Sequence, residues 1–175
     1  MILTNKLPSG TARRGMAHIQ AHVALHGAKD LRITVRVGQQ TLARVEGLLG
    51  VYGVCLYPSS KADGPKTYRI TLNVPGPFPI DIRVHRPPVY FVGKATPSPG
   101  CTLGEVKRAN RRGTVIQWAQ QWAYARLGNV DEGLVWIFGH EWYHYMVKSK
   151  RLTGRNDEIQ ADAFAGDLLA QFRGG

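Results

Sequence analysis

His140, Glu141 and His144 stand in the order H-E-x-x-H, inside a stretch with the composition of a helix. Four residues apart on a helix, two imidazoles lie one above the other on the same face. Their ring nitrogens can then converge on one Zn²⁺ while the carboxylate between them reaches a water beside the ion. The chemistry this spacing allows is metal-assisted hydrolysis, with Glu141 as general base.

The pattern fixes only three positions, so its surroundings must carry the argument. Asp131 is placed to cap a helix N-terminus and Glu132 to favour its positive end, while Leu134 to Val147 is apolar on nearly every side apart from the motif. Such a helix is buried. Lys148, Lys150 and Arg151 follow as cations do at a helix C-terminus, and Gly154 suits a turn. Two histidines and a glutamate buried without partners are costly, and a metal ion removes that cost. The plainer alternative is a pair of histidines satisfied inside the core.

Beyond the turn, Asn156 to Ala165, running on through Leu168, Leu169 and Phe172, predicts a second amphipathic helix. Glu158, Ala161, Asp162, Ala165 and Phe172 recur at helical spacing, which puts Glu158 on the inward face. Helices joined by a short connection pack antiparallel, and small Ala161 and Ala165 permit a close approach. Glu158 can then be a third metal ligand. Taken alone, it reads better as a charge at a helix start that complements the dipole.

H-E-x-x-H followed by E-x-x-A-D-x-F-A resembles the gluzincin metallopeptidases. The Glu158-to-Ala165 stretch is similar to the CAAX-prenyl protease and HtpX type and to the ImmA/IrrE group. The resemblance covers roughly residues 131–172. It implies one Zn²⁺ per chain held by His140, His144 and Glu158, Glu141 as general base, Asp162 orienting a ligand histidine, and a protein or peptide as substrate. The chain departs from the membrane-embedded relatives in carrying no spanning segment, and its gap of 14 positions from His144 to Glu158 is short.

The elements that must position these residues are less sharply written. Thr102 to Arg108 and Thr114 to Trp118 read as two strands of a hairpin. In zincins such a hairpin supplies an edge strand above the active-site helix, to which extended substrates pair; SprT-like proteins, which cleave proteins attached to DNA, resemble this layout. An ordinary structural hairpin is the competing reading. Ala119 to Arg126 continues as a short helix or loop. Leu31–Val37, Thr67–Val74 and Ile80–His85 alternate apolar with polar residues, as half-buried antiparallel strands do, and Val89 to Val92 adds another. Gln39 to Leu49 has the pattern of a short helix and Val51 to Tyr57 that of a strand, while Pro75-Gly76-Pro77 with Pro79 is a turn. The expected architecture is an α+β, zincin-like chain with a β-rich part over residues 1–96 and a metal-site part over 97–175. The two meet near Pro97-Ser98-Pro99-Gly100 within one unit. For the oxyanion-stabilising group, Tyr143, Tyr145 and His85 are candidates that sequence does not rank.

Composition narrows the class further. The chain has 175 residues, 43% of them hydrophobic, enough for a proper core. Its first residues lack the apolar run of a secretory signal and no later run spans a membrane, so the expected location is cytoplasmic. Cys55 and Cys101 make no disulfide framework and are expected as free thiols. The net charge of +11 is uneven: residues 1–130 hold 18 Lys and Arg against 5 Asp and Glu, and residues 131–175 hold 5 against 7. Arg32, Arg36, Arg69 and Arg83, with Arg108, Arg111 and Arg112 at the hairpin, describe a basic surface for DNA or RNA or for an acidic protein, or simply a solvated face. A zinc-stabilised module that binds nucleic acid without catalysis is the alternative function; a fourth protein ligand closing the metal site would favour it. His18, His22 and His26 form an i, i+4, i+8 ladder that could take a second ion, but no carboxylate or cysteine accompanies them, and a structural or solvated role is expected.

Overall fold

The computed structural model describes residues 2–37, 53–59, 66–74, 76–92, 102–105, 116–120 and 122–175. Along the chain these form β1 (Ile2–Asn5), α1 (Arg13–Leu25), β2 (Leu31–Val37), β3 (Gly53–Leu56), β4 (Tyr68–Val74) and β5 (Ile80–His85). There follow β6 (Val89–Val92), β7 (Thr102–Glu105), β8 (Ile116–Gln120), β9 (Trp122–Leu127), α2 (Val130–Lys148) and α3 (Glu158–Gly174). The architecture mixes α and β. By its contacts the chain forms two units, residues 1–80 with 126–175, and residues 81–125. The N-terminal strands and the motif helices therefore share a unit, whereas the junction read at Pro97–Gly100 lies outside the described residues, as does the helix read at Gln39–Leu49.

In the first unit the sheet runs β1-β2-β4-β3. Alternation in β2 and β4 buries Leu31, Ile33, Val35, Ile70, Leu72 and Val74, and leaves Arg32, Arg36 and Arg69 exposed. The direction differs from the antiparallel expectation: β1, β2 and β4 are parallel, in register from Leu31↔Tyr68 to Val37↔Val74, and only β3 runs against β4. Alternation reports which face is buried and carries no direction. The connections decide that, and α1 between β1 and β2 is the crossover that a parallel pair requires.

Packing accounts for α2 better than helix propensity does. Leu134, Phe138, Trp142 and Tyr145 are fully buried, each contributing about 1.5–3 kcal/mol on the usual area scale. The helix touches β3, β4, α1 and α3. Its cap is Asn129, whose side chain accepts the Glu132 N–H at 3.0 Å, rather than Asp131. Asp131 instead accepts the Gly15 N–H of α1 at 2.7 Å, a tertiary contact that local sequence does not announce. Against α2 the third helix runs antiparallel: Arg173 meets Glu132 at 2.6 Å, Asp162 meets His140 at 2.8 Å and Glu158 meets His140 at 3.1 Å. Gly139 permits the approach, since a Cβ there would lie 2.9 Å from Ala165 Cα.

In the second unit, β8 pairs antiparallel with both β6 and β7, and β5 pairs with β9. The expected hairpin strands are present as β7 and β8. Ala119 to Arg126, read as helix or loop, instead ends β8 and forms most of β9. Among the described residues, no helix is long and apolar enough to cross a membrane.

Candidate metal centre

His140 and His144 point from α2, and Glu158 opens α3 directly after Asp157, whose side chain caps that helix by accepting the Gln160 N–H at 2.9 Å. One ligand atom from each of His140, His144 and Glu158 lies within 4.8 Å of the others, a group that could hold a metal ion. The two Nε2 atoms are 3.2 Å apart, and Glu158 oxygens lie 3.1 Å from His140 Nε2 and 3.5 Å from His144 Nε2. On the far side of each ring stands an acceptor. Asp162 Oδ1 is 2.8 Å from His140 Nδ1, and Asn156 Oδ1 is 3.1 Å from His144 Nδ1. A carboxylate accepts only, so His140 carries a proton on Nδ1, and the Asn156 carbonyl requires the same of His144; Nε2 is then the nitrogen each ring has available for a metal ion. Without a metal, a proton on His140 Nε2 joins it to Glu158 at 3.1 Å, and a bound divalent ion would take that proton's place. Two imidazoles with one carboxylate suit a borderline divalent ion.

Burial by itself would lower His140, yet the carboxylates of Asp162 and Glu158 outweigh it and hold this histidine up at about 9 without a metal. Trp136 stacks on its ring at 5.6 Å. Glu141 is pushed up to about 7, by burial first and by Glu158 as well, against the lowering effect of His140 and of a hydrogen bond from the Cys55 backbone. A carboxylate near neutrality can both take and return a proton at physiological pH.

The strand beside this carboxylate is β3. A Cβ at Gly53 would fall 2.8 Å from Glu141 Cδ, so glycine is what lets the strand pass so close to the base. Cys55, a free thiol pushed up to about 12 by burial and then by Glu141, is next on the same side of the strand, and Tyr57 follows just beyond the strand's end. Sequence reasoning assigned no role at this centre to Gly53 or Asn156. For Asn156 a signal existed: it lies two positions before Glu158, at the mouth of the second helix. Gly53 reaches the centre only through the pairing of β3 with β4, which no local pattern announces.

Two of the expected oxyanion donors have other partners. Tyr143 donates its hydroxyl to the Arg155 carbonyl at 2.9 Å, and Tyr145 donates to Asp30 at 2.8 Å, so both phenols are engaged in holding loops. His85 belongs to the second unit, as do β7 and β8. Arg108, Arg111 and Arg112 lie outside the described residues, as does Cys101. Of the remaining arginines, Arg32 stands directly across from Arg69 on neighbouring strands, and Arg36 donates to Asn73 at 2.6 Å. His18 and His22 lie on α1 and His26 caps it, outside the cluster formed by the two α2 histidines and Glu158.

No protein-family model, no curated protein and no solved structure matches the chain.

Proposed function

We propose that the chain is a zinc-dependent metallopeptidase of the zincin type that hydrolyses peptide bonds in protein or peptide substrates. The observation that carries the reading is the convergence of three ligand atoms, His140 Nε2, His144 Nε2 and a Glu158 oxygen, beside a buried glutamate held at about 7. Zn²⁺ on those three residues supplies a Lewis acid that polarises the scissile carbonyl and acidifies water. Asp162 and Asn156 keep both imidazoles turned toward the ion. Glu141 takes a proton from the attacking water and delivers it to the departing amine nitrogen. Strand β3 ends the sheet among the described residues, so an extended peptide can add to its open edge and run past Glu141.

The test is Glu141→Gln, compared with the parent for zinc content and for cleavage of casein and of a mixed peptide library. The amide cannot take the water's proton, so the variant is expected to keep zinc and thermal stability while cleavage drops by about 10²–10⁴-fold. Equal cleavage by both proteins, or a zinc-loaded parent inert toward every substrate, overturns the reading.

A further inference from the structure

The sheet of the first unit has two faces of opposite chemistry. Its inner side lies against α2, where Gly53 comes up to Glu141, and its outer side bears Arg32, Arg36 and Arg69, all exposed. We infer that this outer face binds the phosphate backbone of double-stranded nucleic acid, with Arg32 and Arg69 taking phosphate as a pair. Such binding goes beyond peptide hydrolysis and does not depend on it.

Register builds the face row by row. On β2 and β4, Arg32 stands beside Arg69, Thr34 beside Thr71 and Arg36 beside Asn73. Neither these positions nor those beside them on β1 and β3 hold a carboxylate. Asp30, the acid just before β2, is taken by Tyr145 at 2.8 Å and by Arg151 at 3.1 Å. Arg32 and Arg69 therefore face each other directly, and neither guanidinium has a hydrogen bond or ion pair among the described residues.

Like charges directly opposite each other destabilise a sheet. Cations on strands often guard an open edge, but β2 and β4 are the two central strands, so that role is closed to this pair. An anion between the guanidiniums turns the repulsion into binding. Arg36 extends the line: Asn73 accepts from its Nε at 2.6 Å, which fixes the guanidinium and leaves its terminal N–H groups for a ligand. Four residues along β2 spread the cations over about 13 Å, and neighbouring strands lie about 4.8 Å apart, so the charge forms a band that a backbone of regularly spaced phosphates can follow. Guanidiniums take phosphate oxygens two at a time, and the threonine hydroxyls between them add neutral donors. The face holds no aromatic ring among these positions for a base to stack on, so the denser charge of a duplex favours it over a single strand.

The test is fluorescence anisotropy of a labelled DNA duplex of mixed sequence over a rising salt series. Arg32→Gln combined with Arg69→Gln is expected to weaken binding at low salt by about 10–100-fold, and to lower the slope of log affinity against log salt by about 2, one for each phosphate contact removed. Arg13→Gln combined with Arg14→Gln takes the same charge from exposed positions of α1, which packs with α2 on the other side of the sheet, and should leave that slope at the parent value. Thermal melting of the Arg32/Arg69 variant should lie no lower than the parent's, because two facing charges are gone. An equal loss of slope in both pairs would reduce the effect to net charge and overturn the assignment. So would absence of duplex binding at low salt, tighter binding of the single strand of the same sequence, or a melting temperature that falls with the two arginines, since they would then serve the sheet itself. Polyglutamate or phosphatidylserine vesicles bound as tightly through the same arginines would give the face to another class of partner and overturn the choice of nucleic acid.

Discussion

Two histidine ladders in one folded unit share the same spacing and meet opposite fates. On α2, His140 and His144 have an acceptor behind each Nδ1 and Glu158 in front, and the carboxylates hold His140 up at about 9. On α1, the rings pack against aromatic edges: His18 lies 5.4 Å from Phe172, and His22 lies 5.8 Å from Phe138 and 5.4 Å from Trp142. The Nε2 atoms of His18 and His22 are buried without a hydrogen-bond partner among the described residues. Burial first, then His26 and His18, drive His22 down to about 4. The i, i+4 spacing only brings two nitrogens to one face. Carboxylates on the neighbouring helix turn that face into a site for a cation, and phenyl and indole rings turn it into core.

The largest effect that could break this contrast is metal stoichiometry. His140→Ala or Glu158→Ala is expected to abolish the roughly one equivalent of zinc per chain, measured by elemental analysis after dialysis against a weak chelator, whereas His18→Ala with His22→Ala retains it. Zinc lost from the α1 double variant and kept in Glu158→Ala would reverse the assignment of the two ladders.

A smaller effect sharpens it. Asp162→Asn keeps the size and a carbonyl acceptor for His140 Nδ1 but withdraws the charge that makes the imidazole a strong ligand. Zinc affinity should fall by about 10–100-fold with the fold intact. Competition with a fluorescent chelator reads this directly, and an unchanged constant would mean that Asp162 serves packing of α2 on α3 and nothing more.

How much of this was legible in the chain follows from the range of each interaction. The motif helix and its successor are written locally, in cap residues and 3.6-residue periodicity, and they lie close to where the pattern puts them: α2 over Val130–Lys148 and α3 over Glu158–Gly174. Even there the cap was misplaced by two residues, because Asp131 is a good capping residue engaged instead by Gly15 of a distant helix. Strand direction was not legible. Leu31–Val37 and Tyr68–Val74 alternate as antiparallel strands would, yet pair in parallel, since period two is common to both arrangements. The same limit hid β3. Gly53 comes beside Glu141 through a sheet pairing between segments far apart in sequence, and the hairpin that did show a local signal belongs to the other unit.

The smallest expected effect is a pH dependence that belongs to the α1 ladder alone. Above pH 6.5, the ordinary value for histidine, His22 is neutral in the folded and in the unfolded chain and adds no pH dependence. Between 6.5 and about 4, the unfolded chain binds a proton that the folded site resists, so stability falls as the pH falls through this window. Below about 4 the proton is bound in both states and the loss levels off. For a ring only half buried, solvent screening reduces the contribution to on the order of 1–2 kcal/mol, a few degrees in melting temperature. His22→Phe fills the same aromatic pocket without a titrating group. Urea midpoints of parent and variant should therefore diverge steadily from about pH 6.5 to pH 4.5, with the variant the more acid-resistant. The zinc ligands are the same in both chains, so their titration cancels in the difference. A difference that stays constant across that range would show that burial does not depress His22, and that the two ladders are closer in character than their surroundings make them.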